Sequence, residues 1–324
     1  MSNDSKKIVM IGNFEVSYCT ENDFAWSYEQ LGFEVVKMQE QKARTEDILK
    51  ACKGAKLVHY VHTHGWKTPG LYTMEQLFKE IRKLNVPIIS VHLDYWRGLE
   101  REKDVGTHPF WKTDYVFTAD GGSNDWYRAK GINHFYLKAG VVAKACRQGT
   151  VQDRFKHDVI FVGSKGYHKE WAYRPKLINW LEEAYGDRFA LYGGDGKGVV
   201  REDDLNDLYA SAKVVVGDTL CLNFDHPDYF SDRLFETTGR GGFLIFPYIK
   251  GIEDCFKLEE EIVTYKFNDF DGSPIGLKSK IDYYVKHDLE REKIRFAGFQ
   301  RTSKDHTYTN RIKQMLIIIT EQEM

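Results

Sequence analysis

Short apolar runs alternate with helix-like stretches along the first half of the chain, and this alternation constrains the fold more than any other feature. The stretch 71–84, for example, has apolar residues at every third or fourth position. Continuous apolar runs separated by helices are typical of a parallel sheet that is buried on both faces. The pattern therefore predicts a Rossmann-like first domain, with strands at 7–12, 33–38, 56–62, 86–94, 114–119 and 134–139.

The alternation restarts after residue 156, which predicts a second domain of the same kind. Strands are expected at 157–163, 188–193, 214–217, 243–247 and 262–267, with helices at 174–185 and 202–212. The stretch 143–156 has no apolar period, so we place the link there and expect domains at 1–148 and 149–300. A length of 324 residues suits two domains of about 150 residues each.

Composition and charge exclude several classes of protein. Lys and Arg number 21 against 18 Asp and Glu in the first 150 residues, and 25 against 30 in the rest, so neither half is the basic body that nucleic-acid phosphates attract. The five cysteines lie apart without a Cys-x-x-Cys spacing and are expected to be reduced. The start lacks a signal-peptide apolar region, and the apolar run 315–319 is too short for a bilayer, so we expect a cytoplasmic protein with no membrane span.

The segment 228–246, DYFSDRLFETTGRGGFLIF, is the strongest functional motif. It predicts a helix with Ser231 as its N-cap, a glycine-rich exit and an apolar strand. Unpaired N–H groups and the dipole at such a helix start attract a phosphate. Arg233 in the first turn and Glu236 one turn later place a cation and a carboxylate near this end, where one could hold a diphosphate and the other a ribose diol. The alternative is an ordinary amphipathic helix packed on a sheet.

The segment resembles the nucleotide-sugar site of GT-B glycosyltransferases, particularly the spore-coat maturation (CgeB-like) type, whose pattern is S-x-R-x-x-E followed by small residues and a strand. Asp228 and Glu236 also resemble the Glu-x7-Glu pattern of retaining GT-B enzymes, with Asp in the first place. The stretch 306–311, HTYTNR, matches the H-T-Y-x-x-R of the family's tail. The resemblance implies an α/β fold of two Rossmann-like domains facing a cleft, with a C-terminal helix at 301–324 that packs back on the first domain.

The resemblance extends to the loops that would hold the donor. Gly163 and Ser164 resemble the family's F-V-G-S, and Arg174 resembles its downstream arginine. Lys165 and Arg174 are therefore candidates, with the arginine of the helix motif, to neutralise the leaving diphosphate. The loop that begins at Gly193 lacks the full phosphate-loop pattern and is implied to border the base, and Tyr209 lies in a helix that is implied to pack beside the base.

The implied donor is a nucleoside diphosphate sugar, with UDP favoured over GDP, and no cofactor is implied. Departure of a diphosphate requires positive charge more than a strong nucleophile, so arginine, lysine and N–H groups can act without a metal ion. We therefore predict transfer of a sugar to a hydroxyl, with retention and without a metal. The Asp-x-Asp at 269–271 is a metal motif of the other glycosyltransferase fold, but beside Gly272 and Pro274 it predicts a turn.

Candidate residues in the first domain follow the ends of predicted strands, where ligands of doubly wound domains gather. Gly12 would let a substrate approach the backbone, or it simply forms a turn. Under the resemblance, His64 contacts the donor sugar, and Asp94 or Asp120 orients or deprotonates the acceptor hydroxyl. The loop 96–111 is either an acceptor lid or a disordered excursion. Nearby aromatic residues suit either sugar stacking or a core: Trp66, Tyr72, Tyr95, Trp96, Trp111 and Trp126.

Two other functions stay open from the sequence. A divalent-metal hydrolase could use His62, His64, His92 and Asp94, because imidazole is the commonest metal-binding side chain. The second alternative is a protein of the same fold that binds a nucleotide but does not transfer a sugar from a donor. The acceptor could be a polymer, a protein, a small molecule or a modified nucleobase, and the sequence does not define the oligomeric state.

Overall fold

The computed structural model describes residues 5–61, 68–166, 173–219, 226–270 and 273–323. The chain forms two compact units. The first runs through Lys138 and resumes at Tyr308, and the second comprises Ala139–Thr307. Each unit contains one parallel sheet with helices, which confirms the α/β class and the two Rossmann-like domains.

The first unit is built on a six-stranded sheet with the order β2-β1-β3-β4-β5-β6. The strands are β1 (Lys7–Gly12), β2 (Glu34–Gln39), β3 (Leu57–Val61), β4 (Ile88–His92), β5 (Tyr115–Thr118) and β6 (His134–Tyr136). The helices in this stretch are α1 (Thr20–Gln30), α2 (Thr45–Cys52), α3 (Met74–Arg82) and α4 (Asn124–Arg128). Val9 pairs with Val36 on one side and with Val58 on the other, so the apolar runs meet in the middle of the sheet.

Helix α3 shows how the sequence sets a boundary. The Thr73 side chain accepts a hydrogen bond from the N–H of Gln76, and the Gln76 side chain accepts one from the N–H of Thr73. This capping box starts the helix three residues later than the apolar period alone predicts. Leu77, Phe78 and Ile81 then pack into the core of the first unit.

The second unit is built on a five-stranded sheet with the order β11-β10-β9-β7-β8. The strands are β7 (Val159–Val162), β8 (Phe189–Tyr192), β9 (Val214–Val216), β10 (Leu244–Pro247) and β11 (Val263–Tyr265). The helices are α5 (Tyr173–Tyr185), α6 (Glu202–Ser211), α7 (Asp232–Gly239), α8 (Leu277–Lys286) and α9 (Asp288–Asp305). Each predicted strand of both domains has its counterpart. β1 has the predicted bounds, β2 is shifted by one residue, and the other strands are shorter than predicted because the apolar run extends beyond the paired backbone.

The last helix, α10 (Tyr308–Glu323), belongs to the first unit, where the Tyr308 ring packs 4.8 Å from the Phe24 ring of α1 and the Arg311 guanidinium donates to the carbonyl of Lys138 (3.0 Å). His306 lies in the second unit, with Nε2 3.0 Å from the carbonyl of Cys255. The HTYTNR stretch is therefore where the chain passes from one unit to the other. Among the described residues, no helix has the length and apolar character needed to cross a membrane.

The units divide at Lys138, ten residues before the boundary set by the loss of apolar period. The intervening residues pair with the second unit: Val141 bridges Thr307, and the Asn206 side chain donates to the carbonyls of Ala145 (2.9 Å) and Arg147 (2.6 Å). These contacts are tertiary, so the local pattern does not contain them. For the same reason residues 301–305 remain in α9 of the second unit.

Candidate functional site

A buried carboxylate organises the carboxyl edge of the second sheet. Asp218 lies two residues beyond β9, and its side chain is 0% exposed. Its Oδ2 accepts from Nε of Arg174 (2.7 Å), and its Oδ1 accepts from Nη1 of Arg233 (2.6 Å). The two guanidiniums carry one more positive charge than the carboxylate neutralises. This edge of the sheet therefore holds a fixed cation pair.

Helix starts and a glycine turn bring the two arginines together. Arg174 lies in the first turn of α5 and Arg233 in the first turn of α7. Arg233 Nε also donates to the carbonyl of Val162 (3.1 Å), and both guanidiniums lie over the Phe161 ring, at 5.8 and 5.1 Å. Gly163 has φ +147°, and a Cβ there would lie 2.6 Å from Nη2 of Arg233. Only glycine suits both this backbone conformation and this close approach.

The loops after β7 and β8 also meet at this edge of the sheet. The N–H of Gly163 donates to the carbonyl of Tyr192 (2.7 Å), and a Cβ on Gly193 would collide with the Gly163 carbonyl. Ser164 accepts from Arg174 Nη1 through its backbone carbonyl (3.3 Å). Asp195, which the sequence reasoning missed, accepts from the N–H of Lys165 (2.7 Å). The Lys165 ammonium extends to Glu182 (3.0 Å), so in this structure it pairs with a carboxylate of α5.

Helix α7 begins after Ser231, as predicted, but the serine side chain does not cap it. Its Oγ donates to the backbone carbonyl of Asp218 (3.1 Å), which ties the helix start to the loop that holds the arginines. Asp228 lies before the helix with φ +67°, and its N–H donates to the carbonyl of Lys250 (2.9 Å). The serine therefore positions the helix instead of satisfying its first N–H groups.

Glu236 pairs with Arg240, one turn further along α7 (2.6 Å). Arg240 also donates to Asn206 Oδ1 (2.8 Å). Burial raises the pKa of Glu236, while the positive charge of Arg240 acts in the opposite direction. Glu236 is half-buried, so a hydroxyl-bearing ligand can share it with Arg240.

Tyr209 does not offer the base a face. Its side chain is buried, its hydroxyl accepts from Thr237 Oγ1 (3.4 Å), and a Cβ on Gly242 would lie 3.3 Å from its ring. Tyr209 is therefore a core residue between α6 and α7. The position of Tyr209 in an amphipathic helix fits both a contact with the base and a place in the core, so the sequence did not distinguish these two roles.

Two of the residues predicted for the first unit, Gly12 and Asp120, have structural roles, and a third, His64, lies outside the described residues. A Cβ on Gly12 would lie 2.7 Å from Cγ of Glu21, so this glycine serves close packing of α1 on β1. Asp120 is fully buried and accepts from the N–H groups of Trp96 (2.9 Å) and Arg97 (3.0 Å) and from the Tyr127 hydroxyl (2.6 Å). It anchors the loop after β4 and does not face solvent. His64 lies outside the described residues, as does His62.

Asp94 is the more accessible carboxylate of this edge, with its side chain 42% exposed. Its N–H and the indole N–H of Trp96 both donate to Nδ1 of His92 (3.3 and 3.1 Å). This nitrogen is therefore an acceptor within the protein. Across the described ranges, no three His, Cys, Asp or Glu side chains form a group that could hold a metal ion.

The aromatic residues near loop 96–111 divide between core and surface. Trp96 and Trp111 are buried, with ring centroids 4.9 Å apart, and Tyr95 is also buried. Trp126 and Tyr72 are half-buried, and Trp66 lies outside the described residues. The loop is held at both ends by this cluster and contains two short 3-10 turns at Glu100–Asp104 and Pro109–Lys112, so it is an ordered excursion.

The Asp-x-Asp stretch begins in a turn, as expected. The N–H of Asp269 donates to the carbonyl of Lys266 (3.0 Å), and its Oδ2 accepts from Ser273 Oγ (2.5 Å). Phe270 is buried, and Asp271 lies outside the described residues.

Comparisons with known proteins agree with this geometry. Residues 174–317 match the family model described as glycosyl transferase-like. The chain is similar to a glycosyltransferase of Rickettsia africae (TM-score 0.61, 11% identity, 98% of each chain) and to HepE of Anabaena in complex with UDP-glucose (0.62, 11%, 97% of this chain and 99% of that chain). It is also similar to an alpha-glucosyltransferase in complex with UDP-glucose and DNA containing an abasic site (0.66, 11%, 97% and 99%). No curated protein matched by sequence.

The protein therefore has the GT-B fold, and residues 174–317 are similar to the glycosyl transferase-like family. The family match includes α7 and both arginines of the cation pair. The spore-coat subtype is not distinguished by these comparisons. Asp218 was missed because it follows the short run VVVG, which predicts a strand and marks no chemistry. Its place just beyond a buried strand was the available signal.

Proposed function

We propose that the protein transfers a sugar from a nucleoside diphosphate sugar, with UDP as the preferred nucleotide, to an acceptor hydroxyl. The observation that carries the proposal is the Asp218-held pair of Arg174 and Arg233. Cations fixed before the ligand arrives stabilise charge on a departing diphosphate without reorganisation. The complexes of HepE and of the alpha-glucosyltransferase with UDP-glucose support the choice of donor.

In the proposed reaction, the bond between the anomeric carbon and the diphosphate oxygen breaks, and the electron pair leaves with the diphosphate. The acceptor oxygen forms the new bond to the anomeric carbon and loses its proton. We assign the diphosphate to Arg174, Arg233 and Lys165, and the ribose diol to Glu236. Asp94 is proposed to orient or deprotonate the acceptor, since it is the exposed carboxylate of the first unit's edge.

We further propose that the reaction retains the anomeric configuration and needs no metal ion. The two arginines supply the positive charge that a divalent cation would otherwise provide. Retention rests on the spacing of Asp228 and Glu236. The stereochemistry is measured by proton NMR of the first product formed from a donor of known anomer, and an inverted product contradicts this part of the proposal.

The donor assignment is tested by measuring the binding of UDP to the full chain in the presence of EDTA. Thermal shift and calorimetry both report this binding. We expect Arg233→Met to weaken UDP binding roughly tenfold to a hundredfold, because a charge-assisted contact is lost. Glu236→Gln should weaken binding of UDP less and of a 2′,3′-dideoxy analogue not at all. Arg188→Met is the control, since this exposed arginine pairs only loosely with Asp158 (3.9 Å).

Failure of UDP, GDP and the other common nucleoside diphosphates to bind would reject the proposal. Binding without donor turnover, in the presence or absence of acceptors, would instead identify a nucleotide-binding protein. Binding and hydrolysis of a UDP-sugar, even slow, support the enzyme.

A further inference from the structure

The loop after β4 contains an arginine whose bidentate edge has no acceptor. The side chain of Arg101 is 15% exposed, and its Nη1 lies 3.4 Å from Oδ2 of Asp94. Within the described part of the chain, its Nε and Nη2 are buried and have no hydrogen-bond partner. Buried donors without acceptors cost free energy, and the guanidinium is a charged donor, so the arrangement is unfavourable without a further partner.

The two unpaired nitrogens are the pair that recognises anions. Nε and Nη2 lie on one side of the planar guanidinium and donate in parallel, which matches two oxygens of a carboxylate or a phosphate. The guanidinium also lies 5.4 Å from the Trp96 ring centroid, and Trp96 is itself fixed in the aromatic core. The Trp96 ring therefore holds the guanidinium in place, while the edge formed by Nε and Nη2 has no acceptor among the described residues.

The neighbouring acids do not take up this edge. Asp120 is occupied by three donors from the same loop and from Tyr127, and Asp94 contacts the other end of the guanidinium at a long distance. Two further cations lie on the Trp126 ring close by in sequence, Arg97 at 5.8 Å and Lys130 at 4.6 Å.

We propose that Arg101 binds an anionic group of the acceptor, which reaches the buried Nε and Nη2 edge when the side chains that cover it shift. The acceptor class is then a hydroxyl compound bearing a phosphate or a carboxylate. The identification of the ligand as the acceptor rests on the proposed function, but the anion site itself does not depend on that function. Asp94 then has two roles, since it limits the rotation of Arg101 and stays exposed beside the bound group. The position fits the rule that ligands of parallel sheets gather at the carboxyl ends of the strands.

The test uses the full chain saturated with UDP, so that phosphate does not report on the arginines of the second unit. Methyl glucoside 6-phosphate, methyl glucuronide and methyl glucoside are titrated by calorimetry into the wild type, Arg101→Met and Arg128→Met. Met keeps an unbranched apolar chain over Trp96, and Arg128 is an exposed arginine of the same unit beside Asp125 (3.5 Å). We expect at least one charged probe to bind the wild type, and Arg101→Met to weaken it roughly tenfold to a hundredfold. The control Arg128→Met should leave the affinities for the charged and the neutral probes unchanged.

The same three compounds are then compared as acceptors. We expect Arg101→Met to raise KM for the charged acceptor by a larger factor than for the neutral one, because only the charged acceptor loses an ion pair. Equal binding of charged and neutral probes by the wild type, or an equal loss for both in Arg101→Met, would overturn the proposal. Comparison of methyl glucoside 6-phosphate with methyl glucuronide shows whether the site prefers a phosphate or a carboxylate. If UDP does not bind, the donor proposal fails separately, and the titrations repeated in an Arg233→Met background still test the anion site.

Discussion

Asp120 in the first unit and Asp218 in the second lie at matching places, each two residues beyond a buried strand, β5 and β9, and each fully buried. Their partners differ. Asp120 accepts from two backbone N–H groups and a tyrosine hydroxyl, whereas Asp218 accepts from two guanidiniums. The same side chain at the same place in the same type of sheet therefore has two roles.

The charge of the donors explains the difference. Neutral donors only partly compensate a buried carboxylate, and burial raises the pKa of Asp120 to about 6 despite its three hydrogen bonds. At Asp218, two arginines face a single carboxylate. A buried aspartate at a strand end thus anchors a loop when its donors are neutral, and fixes cations for a ligand when its donors are arginines.

The comparison is tested most strongly at Asp218. We expect Asp218→Asn to cost about 3–5 kcal/mol in the free energy of unfolding, because two buried arginines lose their counter-charge. UDP affinity should fall tenfold or more, since both guanidiniums lose the carboxylate that orients them. Denaturant unfolding and calorimetry measure the two effects. Asp158→Asn is the matched control, a more exposed aspartate that pairs with Lys213 (2.8 Å) and should cost no more than about 1 kcal/mol. Unchanged UDP affinity would break the comparison.

A smaller effect is expected at Gly163, which gives Arg233 its space. Gly163→Ala forces an alanine to φ +147° and places its Cβ against Nη2 of the arginine. We expect a cost of about 1–3 kcal/mol and a several-fold loss of UDP affinity. Gly166→Ala serves as control, since nothing lies within 4 Å of the place that its Cβ would take and its φ is not positive. Equal effects of the two substitutions would show that the arginine's position does not matter.

The smallest effect on UDP is expected at Asp120, where the pH dependence is the sharper measurement. Its pKa is about 6 in the folded chain and near 3.8 without burial, so its stabilising contribution is complete below about 4 and is lost as pH rises through 6. The stability difference between wild type and Asp120→Asn should therefore narrow between pH 4 and pH 7, with UDP affinity unchanged throughout. A difference that widens with pH would mean that the Asp120 carboxylate is stabilised in its charged form and would contradict this prediction.

The sequence was informative wherever local pattern sets the structure. The apolar runs located every strand, and Ser231 marked the start of α7. Arg174 and Arg233, chosen by resemblance, are brought together by Asp218, and their role toward a donor stays a prediction. Asp120 and Tyr209, also chosen by resemblance, are buried, because burial depends on what packs against a strand end or a helix.

By itself, the sequence determined two parallel α/β units and the helix start that carries Arg233, because strand, helix and cap preferences act between near neighbours in the chain. Only the tertiary structure decided which carboxylate holds the arginines, since Asp218 meets Arg174 across 44 residues and Arg233 across 15. These choices depend on loops that meet at a sheet edge, and no local preference encodes which charged groups meet there.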